Sequence, residues 1–213
     1  MTVLDKQAET RQRLLEAAGE VFAEHGYRSA TVRQICDRAK ANVAAINYHF
    51  GDKAKLYAAT LLHAHRCAME NATVPPPDAA KAPPEQRLRM FIHGMLRGAA
   101  AEGRPAWQVK IMTREMSEPT DMLDAIVEHG IRPRYEFIKA TIRDLLGGEP
   151  TEEQLRLTAW SIVGQILFYR FGRPVITRLY PPIRFDEPEI DRIADHITAF
   201  TLAALKGLRK ETP

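Results

Sequence analysis

Cysteine is nearly absent: the 213 residues include two, Cys36 and Cys67, on different predicted helices. No disulfide framework can organise the chain. No apolar run approaches the ~20 residues that span a bilayer, and the longest, Ile162 to Tyr169, is interrupted by Gly164 and Gln165. The N-terminus lacks the basic-then-apolar pattern of a secretory signal. A reduced, cytoplasmic protein with no membrane segment is expected. Catalytic signatures are missing too: there is no G-x-S-x-G, no H-E-x-x-H, no phosphate-cradling glycine loop and no zinc-like Cys/His spacing. The acidic residues are scattered over solvated helix faces, so neither an enzyme nor a metal or other cofactor is expected. Charge of one sign is scarce as well. A net charge of +3 leans only weakly towards polyanions, and residues 1–55 hold nine basic against seven acidic side chains. Affinity for nucleic acid must therefore come from where charges stand.

Hydrophobic residues make up 45% of the chain, ample for a sizeable core. Prolines gather at the ends of helical patterns, and neither a strand-rich region nor an internal repeat is visible. An all-α protein is expected. Its centre of organisation is Thr31 to Lys53, TVRQICDRAKANVAAINYHFGDK. Thr31 with Gln34 forms a capping box, and Val32, Ile35, Cys36 and Ala39 share one helical face. Lys40 and Ala41 turn the chain, Asn42 is a good N-cap, and a second short helix runs to Gly51. Two short helices around a tight turn can form a helix-turn-helix, which sets the N-terminal turn of its second helix in the major groove. Small Val43, Ala44 and Ala45 there suit base edges and thymine methyls. Asn47, Tyr48, His49 and Lys53 can hold flanking phosphates. Thr31, Arg33 and Asn42 complete the candidate DNA-facing set. On spacing alone a plain three-helix bundle remains an equal reading.

The run Tyr48-His49-Phe50, followed by Gly51 and Lys53 and preceded by RLLEAAGEVFAEHGYRSATV from Arg13 to Val32, resembles the DNA-binding domain of TetR-family bacterial regulators. The likeness spans residues 11 to 57. Lys40 stands where that family often has glycine, and Asn47 where it often has an aromatic. The resemblance implies an N-terminal helix-turn-helix domain of three helices over 1–55 and a larger helical ligand-binding and dimerisation domain over 56–213. Residues 105 to 180 also resemble the CecR-like branch, through Arg114-Glu115, Pro119, Leu145-Leu146-Gly147 and Gly164-Gln165. That likeness implies a repressor whose targets include efflux or detoxification genes.

Along the chain, residues 1–10 read as a polar arm or frayed turn. A first helix carries Leu14, Leu15, Ala18, Val21 and Phe22 and ends at Gly26. Asp52 caps a fourth helix that runs to about Asn71. Thr73 to Pro84 holds five prolines and reads as a connector. Helices are then expected from Glu85 to Gly103, from Pro105 past Met116, and from Pro119 to Gly147, with a kink or restart at Pro133. Thr151 with Gln154, and Asp186 with Glu189, cap two last helices, the first apolar on most sides and the second regularly amphipathic through Ile190, Ile193, Ala194, Ile197, Phe200, Ala204 and Leu208. Those helices, at 151–172 and 186–208, either finish the subunit's own core or pair with a second copy in a four-helix interface. The TetR resemblance favours the homodimer.

The candidate effector-binding residues are His93, Trp107, Met112, Met116, Trp160, Gln165 and Phe168, since pockets mix aromatic and methionine side chains with a few polar groups. Most such residues at helical spacing are simply core. His63 and His65, two apart on a helix, point apart and do not suggest a metal site. Cys36 reads as a small core residue. The function expected is a ligand-responsive DNA-binding regulator, a repressor on a palindromic operator. The rival is a ligand-independent TetR-like factor that acts through a protein partner.

Overall fold

The computed structural model describes residues 3–70, 79, 81–100 and 105–210. The described residues form the helices α1 (Val3–Ser29), α2 (Val32–Ala39), α3 (Val43–Phe50), α4 (Lys53–Glu70), α5 (Pro84–Ala100), α6 (Ala106–Ser117), α7 (Met122–Ile126), α8 (Arg132–Leu146), α9 (Glu152–Phe171), α10 (Arg173–Leu179) and α11 (Glu187–Lys210). A π-helical turn, Val127–Ile131, leads into α8 just before Pro133. Most of the connector expected at 73–84 lies outside the described residues.

The chain forms two compact units, each discontinuous in sequence. One comprises Met1–Cys67 with Gly103–Gly130, the other Ala68–Glu102 with Ile131–Pro213. By packing, α4 as far as Cys67 and the later α6 and α7 share the core of the first unit. That core joins Leu14, Ala18 and Phe22 of α1 with Ile35 of α2, Ile46 of α3, Leu56 and Leu61 of α4, and Trp107, Ile111 and Ile126.

Close fit explains why α6 packs there. A Cβ on Gly19 would overlap the Trp107 indole, whose Nε1 donates to Glu16 Oε2 at 3.1 Å. Gly26 leaves helical geometry at φ 76°, a conformation that glycine adopts without steric cost, and a Cβ there would lie 2.9 Å from Arg114 Nε. Beside it, the wholly buried Glu115 accepts hydrogen bonds from Tyr57 Oη at 2.7 Å and from the backbone N and Oγ1 of Thr120, each at 2.8 Å. A buried carboxylate persists only when it is so partnered. Burial, with the Glu115 bond second, raises the Tyr57 phenol above its ordinary value, so it remains a donor.

In the second unit, Leu88, Ile92 and Leu96 of α5 pack with Ile138 and Ile142 of α8, Leu155, Ile162 and Ile166 of α9, and Ile193 and Ile197 of α11. Outside this core α5 and α11 carry a ladder of basic and acidic side chains. Arg89 Nε meets Asp195 Oδ1 at 2.6 Å, Arg89 Nη2 and His93 Nε2 each meet Asp191 Oδ1 at 3.2 Å, and Arg97 Nη2 meets Glu187 Oε1 at 2.8 Å. Arg87, buried within α5, pairs with Asp144 of α8.

Both expected capping boxes are present, at Thr31–Gln34 and Thr151–Gln154. Asp52 and Asp186 accept from the backbone N of Lys55 and Glu189 at 2.8 and 3.1 Å. Two expectations are corrected. Residues from Val3 are helical, an extension of α1 in place of a polar arm. After Gly172 the chain forms α10, which the run of Gly172 and Pro174 had hidden: Pro174 sits in the first turn, where its missing N–H costs nothing.

Lys40 caps α2 in the left-handed region, φ 50° and ψ 46°, the one non-glycine residue with positive φ among the described residues. Such geometry costs an L residue roughly 1–2 kcal/mol, partly offset by the ~0.5–1 kcal/mol of extra backbone entropy that glycine loses on folding. Lys40→Gly is therefore expected to stabilise the protein by about 0.5–1 kcal/mol and to raise Tm by about 1–4 °C. A thermal melt that shows no gain would mean the turn is not strained.

Candidate nucleic-acid interface

The turn at Lys40 sets α3 against α1 and α2 so that Ile46 and Phe50 are buried. At 100° per residue the opposite side must then face out, and it does. Val43, Ala44, Asn47 and Tyr48 form one exposed arc, with Val43 50% and Tyr48 71% exposed. Two turns of helix thus offer methyl groups at the N-terminal end and hydrogen-bonding groups one turn later. Ala45 and His49 are half-buried at its margin, and the His49 ring stands edge-on to Tyr48 at 5.0 Å between centroids.

Two of the expected contact residues are already engaged. Asn42 Oδ1 accepts the backbone N–H of Ala45 at 2.8 Å, which leaves its amide NH2 to meet a ligand. Thr31 Oγ1 accepts from Gln34 N at 3.2 Å and donates to Gln34 Oε1 at 2.9 Å. Its hydroxyl therefore belongs to the cap. Arg33 is exposed on α2. Lys53 is half-buried: its ammonium donates to the Arg28 carbonyl at 3.3 Å and stands 4.8 Å from the Tyr27 ring centroid. Burial lowers its pKa from the ordinary lysine value. One of three N–H donors is used, so the group can bridge the α1–α2 turn and an outside anion together.

Gln7, within the segment expected to be an arm, and Arg11 also stand beside α3. Gln7 Nε2 donates to Tyr48 Oη at 3.3 Å, and the Arg11 guanidinium lies 5.2 Å from the Phe50 ring centroid. Their one-turn spacing, which continues into the buried Leu14 and Ala18, was the available signal. Between α1 and α2 lies an open groove of about 600 Å³, lined by Glu9, Arg13, Glu16, Glu20 and Arg38 among others. Its charges are mixed, and Arg38 is paired with Glu20 and Glu24.

The seven candidate effector residues are dispersed. Trp107 is core of the first unit, Met112 packs against that core, and Met116 is half exposed. In the second unit, Trp160 and Phe168 are 56% and 54% exposed, Gln165 Nε2 donates to the Ser161 carbonyl at 3.3 Å, and His93 is paired with Asp191. They fall in two units and do not form one cluster within either, because helical spacing finds the apolar stripe of α9 without showing which part its own subunit covers. Among the described residues no three His, Cys, Asp or Glu side chains are grouped to hold a metal ion, and no helix is long and apolar enough to cross a membrane.

Comparisons with known proteins accord with this architecture. Residues 14–60 match the family described as bacterial regulatory proteins, tetR family, and residues 84–205 match the HTH-type transcriptional dual regulator CecR, C-terminal domain. The CecR dual regulator of Shigella flexneri is 27% identical over all of this chain and 97% of its own length. The repressor AcnR of Corynebacterium efficiens is 49% identical over 26% of this chain and 29% of its own. Among solved structures, the regulator PfmR of Thermus thermophilus superposes with a TM-score of 0.59 at 22% identity, over 90% of this chain and 97% of that one. AibR, solved with isovaleryl coenzyme A and operator DNA, gives 0.61 at 17% identity over the same shares.

Lys53→Ala is expected to reduce the slope of log affinity for duplex DNA against log salt by about one unit, together with a small fall in Tm from the lost bond to Arg28. A lower Tm with an unaltered slope would restrict the lysine to a structural tether.

Proposed function

The chain belongs to the TetR family of bacterial transcriptional regulators, with a CecR-type C-terminal domain, and on that footing we propose a ligand-responsive repressor that grips a palindromic operator as a homodimer. The observation that carries this reading is the outward arc of α3, Val43-Ala44-Asn47-Tyr48. Small apolar groups at the N-terminal end can approach thymine methyls, while Tyr48, Asn47, Arg33 and Lys53 fix the frame through phosphates. Specificity then resides mainly in shape and methyl contact, since the groove-facing end brings no charged side chain.

The dimer is supported by α9 and α11. Leu157, Trp160, Gly164 and Phe168 follow one face of α9, and His196, Phe200, Ala203 and Gly207 one face of α11, with Phe200 59% exposed. Aromatic side chains of that size left to water on neighbouring helices mark an association surface. A two-fold axis through it pairs each face with itself. Two reading heads so related can occupy half-sites about 34–36 Å apart or a multiple of that.

An effector bound by the C-terminal domain can act through the chain itself, which passes between the two units near residues 67, 102 and 130. A shift in α5 or α8 then pulls on α4, α6 and α7, which belong to the core that carries α3. The effector must bind the DNA-free form more tightly, and operator DNA must weaken effector binding by the same factor. Repression is favoured by the names of relatives such as AcnR, and efflux or detoxification targets by the CecR likeness. The dispersal of the seven candidate pocket residues favours, as a second reading, a ligand-independent factor that works through a protein partner.

Selection of bound fragments from random duplex DNA is expected to yield a two-fold symmetric consensus, and a small-molecule screen on that fragment to find compounds that release it. An asymmetric or absent consensus would overturn the dimeric reading, while a symmetric operator that no compound releases would favour the partner-dependent factor. Paired Phe168→Glu and Phe200→Glu changes are expected to give monomers in sedimentation and at least a tenfold loss of operator affinity. Intact dimers would show that another surface joins the subunits.

A further inference from the structure

The first turns of α1 offer donors that neither the helix-turn-helix reading nor the matched region, which starts at residue 14, includes. Gln7 and Arg11 lie one turn apart on the face that continues into Leu14 and Ala18, so the burial that seats α1 also directs them towards α3. Gln7 donates its amide to Tyr48 Oη at 3.3 Å. A phenol oxygen that accepts in this way keeps its own O–H to give elsewhere, and Tyr48 is 71% exposed. Arg11, one turn further on, rests at 5.2 Å on the ring of Phe50, which closes α3. It is exposed and, among the described residues, no carboxylate pairs with it. Arg13, two residues later, points instead into the groove with Glu9, Glu16 and Glu20 and lies 3.5 Å from Thr10 Oγ1.

We infer that the N-terminal extension of α1 is a second grip on the DNA backbone, in which Arg11 contacts a phosphate beside the one that Tyr48 meets and Gln7 aligns the phenol. A duplex is the partner that the chemistry favours. A helix lying in the major groove has a phosphate strand along each side, and a guanidinium held beside such a helix without a counter-charge suits a phosphate oxygen. The inference rests on the reading of α3 as the groove helix. It adds affinity for any sequence, and leaves sequence preference to Val43 and Ala44.

The test is fluorescence anisotropy of the full-length protein on the selected operator and on a scrambled duplex at several salt concentrations. Arg11→Ala is expected to weaken both by a similar factor and to reduce the salt slope by about one unit, whereas Arg11→Lys keeps the slope and Arg13→Ala, equal in charge change, leaves it as in the wild type. Melting curves identify any variant that fails to fold, and Arg11→Gln then replaces Arg11→Ala. For Gln7→Ala and Tyr48→Phe, the double change is expected to cost less than the sum of the single ones. A wild-type slope in Arg11→Ala, or an equal drop in Arg13→Ala, overturns the inference and leaves the regulator reading intact. Failure of the wild type to bind either duplex at low salt overturns both.

Discussion

The carboxylate of Glu115 is the contact on which the first unit's composition depends. A buried polar group in a helical core is costly unless it is hydrogen-bonded, and this one is met by Tyr57 on α4 and by Thr120 after α6. Those bonds seat α6 and the start of α7 beside the helix-turn-helix, while the Trp107 indole against Gly19 and the Arg114 guanidinium against Gly26 fix where α6 crosses α1. The family matches divide the chain sequentially, at 14–60 and 84–205. The packing interleaves it, and a segment that belongs by sequence to the C-terminal family is built into the core that orients α3.

How much of this could be read beforehand follows from the range of each interaction. The helix-turn-helix was legible because its determinants are local: Thr31 with Gln34, Asn42 with Ala45, and a buried face at helical spacing. Lys40 was noted as a departure from the usual glycine, and the structure shows what it costs, a left-handed turn made by a residue with a side chain. The place of α6 was not legible, since Glu115 and Tyr57 are 58 positions apart. The start of α1 was misread because its first turns are polar, although Gln7 and Arg11 repeat at the helical period. The effector candidates are dispersed for a different reason. Periodicity locates apolar side chains, but α9 is apolar on two sides, and the parts carrying Trp160 and Phe168 are left uncovered by their own unit.

The surfaces of the two units differ in the chemistry they present. The arc of α3 is small and uncharged at one end and hydrogen-bonding at the other, suited to a partner met repeatedly and released. The faces of α9 and α11 leave Trp160, Phe168 and Phe200 exposed, apolar surface that the proposed subunit interface would cover. On the proposed reading, one chain would hold a reversible contact and a durable one on separate cores, so the first could be weakened without dissolving the second.

The charge ladder between α5 and α11 has a symmetry of its own. Arg89, His93 and Arg97 repeat every four residues, as do Glu187, Asp191 and Asp195 on the antiparallel partner, and Arg89 already touches two rungs at once. Displacement of one helix by a single turn would bring each of two basic groups to the next acidic one. With one sign on each helix, the ladder holds the pair together but chooses neither their relative direction nor, except weakly, between neighbouring registers. Registration falls to Leu88, Ile92 and Leu96 against Ile193 and Ile197. In mechanical terms the two helices resist separation through charge and resist sliding through shape, and only the second resistance depends on the interior remaining fully packed.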